Sequence, residues 1–106
     1  MEIVFHTHHA PASEHMRRAA ERALRKAARR AVRPVDAVIR FKQDGPTRSV
    51  ELVLHTAAGR RFIARSEAKY FGPALADAAR RLMMQLDHKK RTPKARARRV
   101  ARDGAA

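Results

Sequence analysis

Four short segments of the chain alternate apolar and polar residues, which predicts four β-strands. The segments are 2–6, 35–43, 48–56 and 61–67. One face of each strand is therefore expected to be buried and the other to face water. The residues expected to point inward are Ile3, Phe5, Val35, Ala37, Ile39, Phe41, Val50, Leu52, Leu54, Thr56, Phe62, Ala64 and Ser66.

Two other segments place apolar residues three and four positions apart, the spacing of one face of an α-helix. The first begins after Ser13, a residue type that caps helix N-termini, and ends before Pro34. Its apolar stripe is mostly alanine, which gives high helix propensity but a thin core. The second begins near Pro73, which suits a first helical turn, and has a stripe built on leucine, alanine and methionine.

The second helix is expected to end before Thr92, because a residue that precedes proline is disfavoured in helical geometry. Residues 93–106 contain one large apolar side chain, Val100, among many arginines and lysines. Such a segment buries too little apolar surface to order itself. The sequence therefore predicts a single domain at 1–92 and a basic disordered tail at 93–106.

The predicted order of elements is strand, helix, three strands, helix. Both helices are amphipathic and the sheet has one apolar face. Packing the two helices on one face of a four-stranded sheet buries all of these apolar surfaces together. The predicted fold is therefore an α+β sandwich with the order β-α-β-β-β-α.

The charge of the chain narrows the class of partner. Its 106 residues include 25 Lys and Arg against 10 Asp and Glu, which gives a formal net charge of +15 and a pI near 11.8. Self-repulsion of this size destabilises a compact fold, and a polyanion relieves it. Nucleic acid is the leading candidate, and the sequence gives no reason to expect a cofactor or a small-molecule substrate.

Several other classes of protein are disfavoured because the sequence lacks the residues or segments that they need. It has no cysteine, so disulfides, thiolate metal sites and thiol catalysis are excluded. It shows no transmembrane run, lipidation motif or export signal, and no bulky apolar face for a membrane surface. We expect a cytoplasmic protein without a membrane partner.

Candidate RNA-binding residues lie on the polar sides of the predicted elements. Ordinary solvated helices mix charge signs, whereas these faces are nearly all arginine and lysine. The strand cations could extend the same patch or only keep the open face of the sheet soluble. The candidates are Arg18, Arg22, Arg25, Lys26 and Arg29 on the first helix, Arg40, Lys42 and Arg65 on strands, and Arg80, Arg81, Lys89, Lys90 and Arg91 on the second helix.

The histidines raise two further possibilities. His6, His8 and His9 suggest a metal site, but the chain has no cysteine and His9 would point away from the other two. We therefore predict no metal, and the imidazoles either add positive charge when protonated or have no role. A small ribonuclease could use two histidines as acid and base. The candidates are His6, His55 and His88, which nothing in the sequence brings together, so we predict that the protein is not an enzyme.

The order and spacing of several short motifs resemble the ribosome hibernation-promoting factor family, also described as ribosome-associated inhibitor A or sigma-54 modulation proteins. The resemblance covers residues 1–91 and is strongest around the two helices. Before the second helix the family usually has Asp-x-Tyr, where this chain has Tyr70, Phe71 and Gly72. The matching residues are Ser13, Met16, Arg17, Glu21 and Leu24 in the first helix, and Phe62, Ala64, Ala74, Leu75, Leu82, Gln85, Leu86, Lys89 and Lys90 towards the end.

The resemblance implies a fold like that of double-stranded RNA-binding domains and a role as a translation inhibitor. Family members bind the small ribosomal subunit and its rRNA and block the sites of messenger and transfer RNA in idle ribosomes. The chain resembles the short form of the family, which implies a monomer when free. A general double-stranded RNA- or DNA-binding protein is the alternative, although no base-reading recognition helix is visible.

Overall fold

The computed structural model describes residues 1–9 and 12–105, with side chains through His88. Its elements follow the predicted order β-α-β-β-β-α, so the predicted α+β fold is confirmed. Several elements begin or end a few residues away from their predicted bounds. They are β1 (Glu2–His8), α1 (Glu14–Ala28), β2 (Pro34–Asp44), β3 (Thr47–Thr56), β4 (Arg61–Ala68) and α2 (Phe71–Ala105).

The four strands form one sheet in the order β1-β2-β3-β4. β1 pairs with β2 in parallel, which α1 permits by crossing between them, and the other two pairs are antiparallel. A two-residue turn, Gly45-Pro46, joins β2 to β3. Gly45 has φ +59°. A glycine at the first central position with positive φ, followed by proline, is the pattern of a type II′ hairpin turn.

One face of the sheet forms the core with the helices. The predicted inward residues align across the strands in rows, such as Phe5, Ile39, Leu52 and Ala64. Phe41, Ile39, Leu52, Leu54 and Val50 are almost fully buried. Val35 is the exception, with 48% of its surface exposed. A register shift between Pro34 and Asp36 interrupts the alternation there, so the prediction for Val35 is wrong.

Both helices cover this face and also pack against each other. α1 buries Ala20, Leu24, Ala27 and Ala28. Because most of these side chains are small, the helix gains little from area burial and depends on close approach to its neighbours. α2 contributes its own mixed set of small and large buried residues, which are Ala74, Leu75, Ala78, Ala79, Leu82 and Leu86.

The N-terminal ends of the helices are fixed by specific contacts. Ser13 caps α1 as predicted, since its Oγ accepts a 3.1 Å hydrogen bond from the Met16 N–H. α2 begins at Phe71, whose ring meets the Phe41 ring edge-on at 5.4 Å. The Arg48 guanidinium lies 5.8 Å from the centre of the Phe71 ring. These contacts place the start of α2 against β2 and β3.

The C-terminal ends of both helices differ from the predictions. α1 ends at Ala28 and a short turn leads to β2, so the helix stops earlier than the proline alone predicts. The backbone of α2 runs on to Ala105, so the expected end before Thr92 is wrong. Alanine and arginine dominate residues 94–102, and their helix propensity offsets the local restriction from Pro93. The division into a domain at 1–92 and a disordered tail at 93–106 stays a prediction.

Candidate nucleic-acid interface

The outer side of α1 carries a continuous group of cations. Because Ala20, Leu24 and Ala27 turn one side of the helix into the core, the opposite side of the helix faces water. All of the predicted cations of this helix are exposed. We call them the α1 basic face, and they are Arg18, Arg22, Arg25, Lys26 and Arg29.

Members of the α1 basic face differ in whether a carboxylate neutralises them. Arg18 pairs with Glu14 at 3.2 Å, and Arg25 pairs with Glu21 at 3.0 Å. Within the part of the chain that has described side chains, Arg22, Lys26 and Arg29 have no acidic partner. We call these three the unpaired α1 cations. Their spacing of four and three residues keeps them on one side of the helix, over about 10 Å along its axis.

One carboxylate holds two of the predicted cations of α2, Arg80 and Arg81. Asp77 receives Arg80 at 2.6 Å on one oxygen and Arg81 at 2.9 Å on the other. Arg81 also donates to the backbone oxygen of Arg65 at 3.2 Å, so its side chain lies against the β4 edge of the sheet. Arg80 and Arg81 are therefore fixed in position and partly neutralised.

The Asp77 carboxylate also accepts a hydrogen bond from the sheet. The Ser66 hydroxyl donates a 2.6 Å hydrogen bond to it from β4. This bond, followed by the hydrogen bond from Arg80 and the nearby charges of Arg81 and Arg80, lowers the pKa of Asp77 against a smaller opposing effect of burial. The carboxylate consequently stays ionised in moderately acidic solution.

The strand cations lie on the opposite face of the molecule. Arg40, Lys42 and Arg65 point away from the core and are exposed, on the open face of the sheet. Arg40 pairs with Glu51 at 3.1 Å, and Arg65 pairs with Glu67 at 2.7 Å. A depression of about 430 Å³ lies beside them and is also lined by His6 and His8. Arg40 and Arg65 are therefore balanced locally, whereas Lys42 has no acidic partner among the residues with described side chains.

The structure thus divides the predicted site residues between two faces. The α1 basic face lies on the helical side, and Arg40, Lys42 and Arg65 lie on the sheet side. Arg81 lies near the β4 edge between the two sides. The side chains of Lys89, Lys90 and Arg91 lie outside the described part of the structure.

His8 and His9 at the end of β1 lie in contact, with their rings edge-on and their centroids 4.2 Å apart. The expectation that His9 points away from His8 is therefore wrong.

The three histidines considered for catalysis do not come together in a site. His6 is on β1 and His55 is on β3, and standard strand dimensions place them roughly 16 Å apart across the open face. His55 Nδ1 lies 2.6 Å from Asp36 Oδ1. His88 belongs to α2, which packs on the other face of the sheet. Among the described residues no three potential metal ligands are grouped.

Sequence reasoning missed three arginines that line one pocket. Arg30 and Arg33 follow the end of α1, and Arg60 lies in the turn between β3 and β4. All three border a cavity of about 580 Å³ that Phe62 and Leu86 also line. Because these arginines occupy loops without periodicity, only their clustering in the folded chain distinguishes them.

Comparison with known proteins identifies the family of this chain. The profile of the sigma 54 modulation protein / S30EA ribosomal protein family matches residues 3–94. The chain belongs to this family. The resemblance to hibernation-promoting factors that the sequence motifs suggest is thereby confirmed, whereas a search of curated proteins finds no match.

Solved structures share the fold at low sequence identity. A ribosomal subunit interface protein from Coxiella burnetii has a TM-score of 0.74 and 18% identity, covering 85% of this chain and 98% of its own. The N-terminal domain of Protein Y from Thermus thermophilus has a TM-score of 0.70 and 18% identity, covering 81% and 96% respectively. The described residues contain no helix that is both long and apolar enough to span a membrane.

The part of the chain that matches the sigma 54 modulation protein / S30EA ribosomal protein family contains the described cations. The matched range, 3–94, includes β1 to β4, α1, the first part of α2 and the loops around the arginine-lined pocket. The pocket and the α1 basic face therefore both belong to the family domain.

Proposed function

We propose that this protein is a ribosome-associated translation inhibitor that binds the small ribosomal subunit and its rRNA and blocks the messenger and transfer RNA sites. It acts stoichiometrically, without catalysis, and preserves idle ribosomes during stress. The observation that carries the proposal is the group of unpaired α1 cations, Arg22, Lys26 and Arg29, on the solvent side of a helix fixed to the sheet. Family membership supports the choice of the ribosome as partner.

Unpaired cations are the better phosphate ligands for a physical reason. A guanidinium that already pairs with a carboxylate must exchange that partner for a phosphate, so part of the gain is lost. An unpaired cation only releases the counterions that the RNA had condensed, which favours binding. Because α1 is held by its buried face, the backbone that carries these cations is already ordered, and little backbone freedom remains to be lost on binding.

The other predicted site residues have secondary roles in this proposal. Carboxylates already pair with Arg40, Arg65, Arg80 and Arg81, and Arg81 also lies against the β4 edge. Lys89, Lys90 and Arg91 extend the contact along α2. The protein works in the cytoplasm as a monomer when free and needs no cofactor, membrane or small-molecule substrate.

The proposal is tested by co-sedimentation of the protein with purified small ribosomal subunits. The variant R22E/K26E/R29E should fail to sediment with the subunit at moderate salt, whereas the wild type should sediment. The matched control is R40E/K42E/R65E, which changes the net charge by the same amount on the open sheet face and should retain most of the binding. Circular dichroism of both variants checks that the fold is intact.

Two results would reject the proposal. If the wild-type protein remains in the supernatant while the small subunits sediment, ribosome binding at that salt concentration is excluded. Equal losses in the two triple variants would show a general charge effect and no defined surface. A competition assay with duplex DNA and duplex RNA then separates a general nucleic-acid binder from a ribosome-directed protein, since only the general binder should leave the subunit for either duplex.

A further inference from the structure

The pocket lined by Arg30, Arg33 and Arg60 combines two kinds of surface. Its apolar lining consists of Val32, Phe62 and Leu86 together with the alanines of the adjoining turns. Its rim carries the three arginines, and no carboxylate is among the described residues that line it. The volume of about 580 Å³ lies within the range of small-ligand sites, about 300–1,000 Å³. The pocket suits a ligand that is apolar on one side and anionic on the other.

The rim arginines differ in how much of their charge is available. Arg30 is paired with Asp87 of α2, which holds α1 and α2 together beside the pocket. Within the part of the chain that has described side chains, Arg33 and Arg60 have no acidic partner. Their free guanidinium groups are the ones able to take an incoming anion.

Backbone hydrogen bonds fix the two loops that carry these arginines. The Ala57 N–H donates to the Arg33 oxygen at 2.9 Å, which ties the turn after β3 to the segment before β2. The Thr56 N–H donates to the Arg60 oxygen at 3.0 Å, which closes the β3–β4 turn. Both arginines are therefore presented from defined backbone positions, so the pocket is formed before any ligand arrives.

We propose that this pocket holds one unstacked nucleobase of a single-stranded RNA segment, with an adjacent phosphate on Arg33 and Arg60. The proposal deepens the function given above and rests on it. Unpaired bases in RNA loops are commonly recognised by apolar and aromatic surfaces, while arginines hold the neighbouring backbone. A nucleotide carries both the flat apolar group and the anion that the pocket requires.

The position of the pocket favours RNA over an acidic peptide. The unpaired α1 cations Arg22, Lys26 and Arg29 run along the helix towards its C-terminal end, and Arg30 on the pocket wall follows directly. An RNA strand whose successive phosphates contact these cations reaches the pocket at the C-terminal end of α1. An acidic peptide could neutralise the rim, but it offers no regular series of anions for the rest of this track.

The test compares two hexaribonucleotides of equal charge, one of mixed sequence and one with all bases removed, by fluorescence anisotropy. Wild-type protein should bind the base-bearing strand about tenfold more tightly, within the range that base stacking contributes. Ala58→Leu narrows the pocket without changing the charge and without adding an aromatic face on which a base can stack, so it should remove this preference. Arg60→Gln should weaken binding of the base-bearing strand, whereas Arg61→Gln should have a smaller effect, because Arg61 does not line the pocket.

Several outcomes would overturn the inference. Equal affinity of the wild type for the two strands, or equal effects of Arg60→Gln and Arg61→Gln, would show that no base enters the pocket. Arg60→Gln keeps the test decisive if thermal unfolding shows that Ala58→Leu is not folded. Displacement of the RNA by a hexapeptide of alternating Glu and Phe, lost in Ala58→Leu, would assign the pocket to a protein segment instead.

The same variants separate this inference from the proposed function. If Ala58→Leu still prefers the base-bearing strand and also sediments with small subunits, the inference about the pocket is wrong and ribosome binding stands. If wild-type protein fails to sediment with subunits, ribosome binding is rejected, and the comparison of the two hexanucleotides still decides whether the pocket takes a base.

Discussion

Ser66 on β4 donates a 2.6 Å hydrogen bond to Asp77 on α2, across the buried side of the sheet. The same carboxylate receives Arg80 and Arg81. One aspartate therefore joins the last strand to the second helix and also fixes two of the predicted RNA-binding arginines. Arg80 and Arg81 therefore already have a carboxylate partner, whereas the unpaired α1 cations have none among the residues with described side chains.

Asp77 should make stability depend on pH in acid. Its pKa is lowered in the folded state, chiefly by the Ser66 hydrogen bond, so its contribution is fully present above the unfolded-state value of about 3.9. That contribution is lost as the pH falls through the lower folded-state pKa. Urea unfolding over a pH series should show a smaller acid loss in Asp77→Asn than in the wild type. An identical acid dependence in both proteins would contradict this role.

The unpaired α1 cations should dominate the salt dependence of RNA binding. Replacing Arg22, Lys26 and Arg29 with glutamine should reduce the slope of log affinity against log salt by about 2 to 3, because three phosphate contacts are lost. The slope is measured with small subunits by titration at several salt concentrations. The matched variant R40Q/K42Q/R65Q should change the slope less, since Glu51 and Glu67 already neutralise two of its residues. A larger change in this control would place the main contact on the sheet.

Leu24 should be the most sensitive position of α1 to truncation. It is fully buried in a helix whose other buried residues are alanines, so it supplies much of the apolar area that holds the helix in place. Leu24→Ala should lower the free energy of unfolding by about 2–5 kcal/mol, measured by urea unfolding. Val32→Ala is a suitable control, because Val32 is 73% exposed and should change stability little. Equal effects at both positions would show that α1 is not anchored through Leu24.

The Ser13 cap should contribute to the stability of α1. Its Oγ satisfies the Met16 N–H, one of the amide groups that the first turn leaves without a helical partner. Ser13→Ala should cost about 0.5–2 kcal/mol in the free energy of unfolding, whereas Ser13→Asp should retain the cap. Helical circular dichroism during thermal unfolding separates the two variants. Similar melting of Ser13→Ala and the wild type would exclude a stabilising cap.

Local patterns were sufficient to predict most of the fold. Alternation identified the inward rows through Ile39, Leu52 and Ala64, because strand geometry sends every second side chain to the same face. Periodicity identified both helices for the same kind of reason. The patterns failed at Val35, where a register shift interrupts the alternation, and at the end of α2, where helix propensity outweighed a local proline signal.

The sequence by itself determined the class of this protein: two amphipathic helices, a sheet with one apolar face and a large excess of positive charge. Only the tertiary structure decided which cations are free. Arg30 finds Asp87 on α2, Arg40 finds Glu51 on the neighbouring strand, and Arg33 and Arg60 meet at one pocket from separate loops. The physical reason is that periodicity reports only which side of an element a residue occupies, whereas pairing and pocket formation depend on how separate elements are placed against one another.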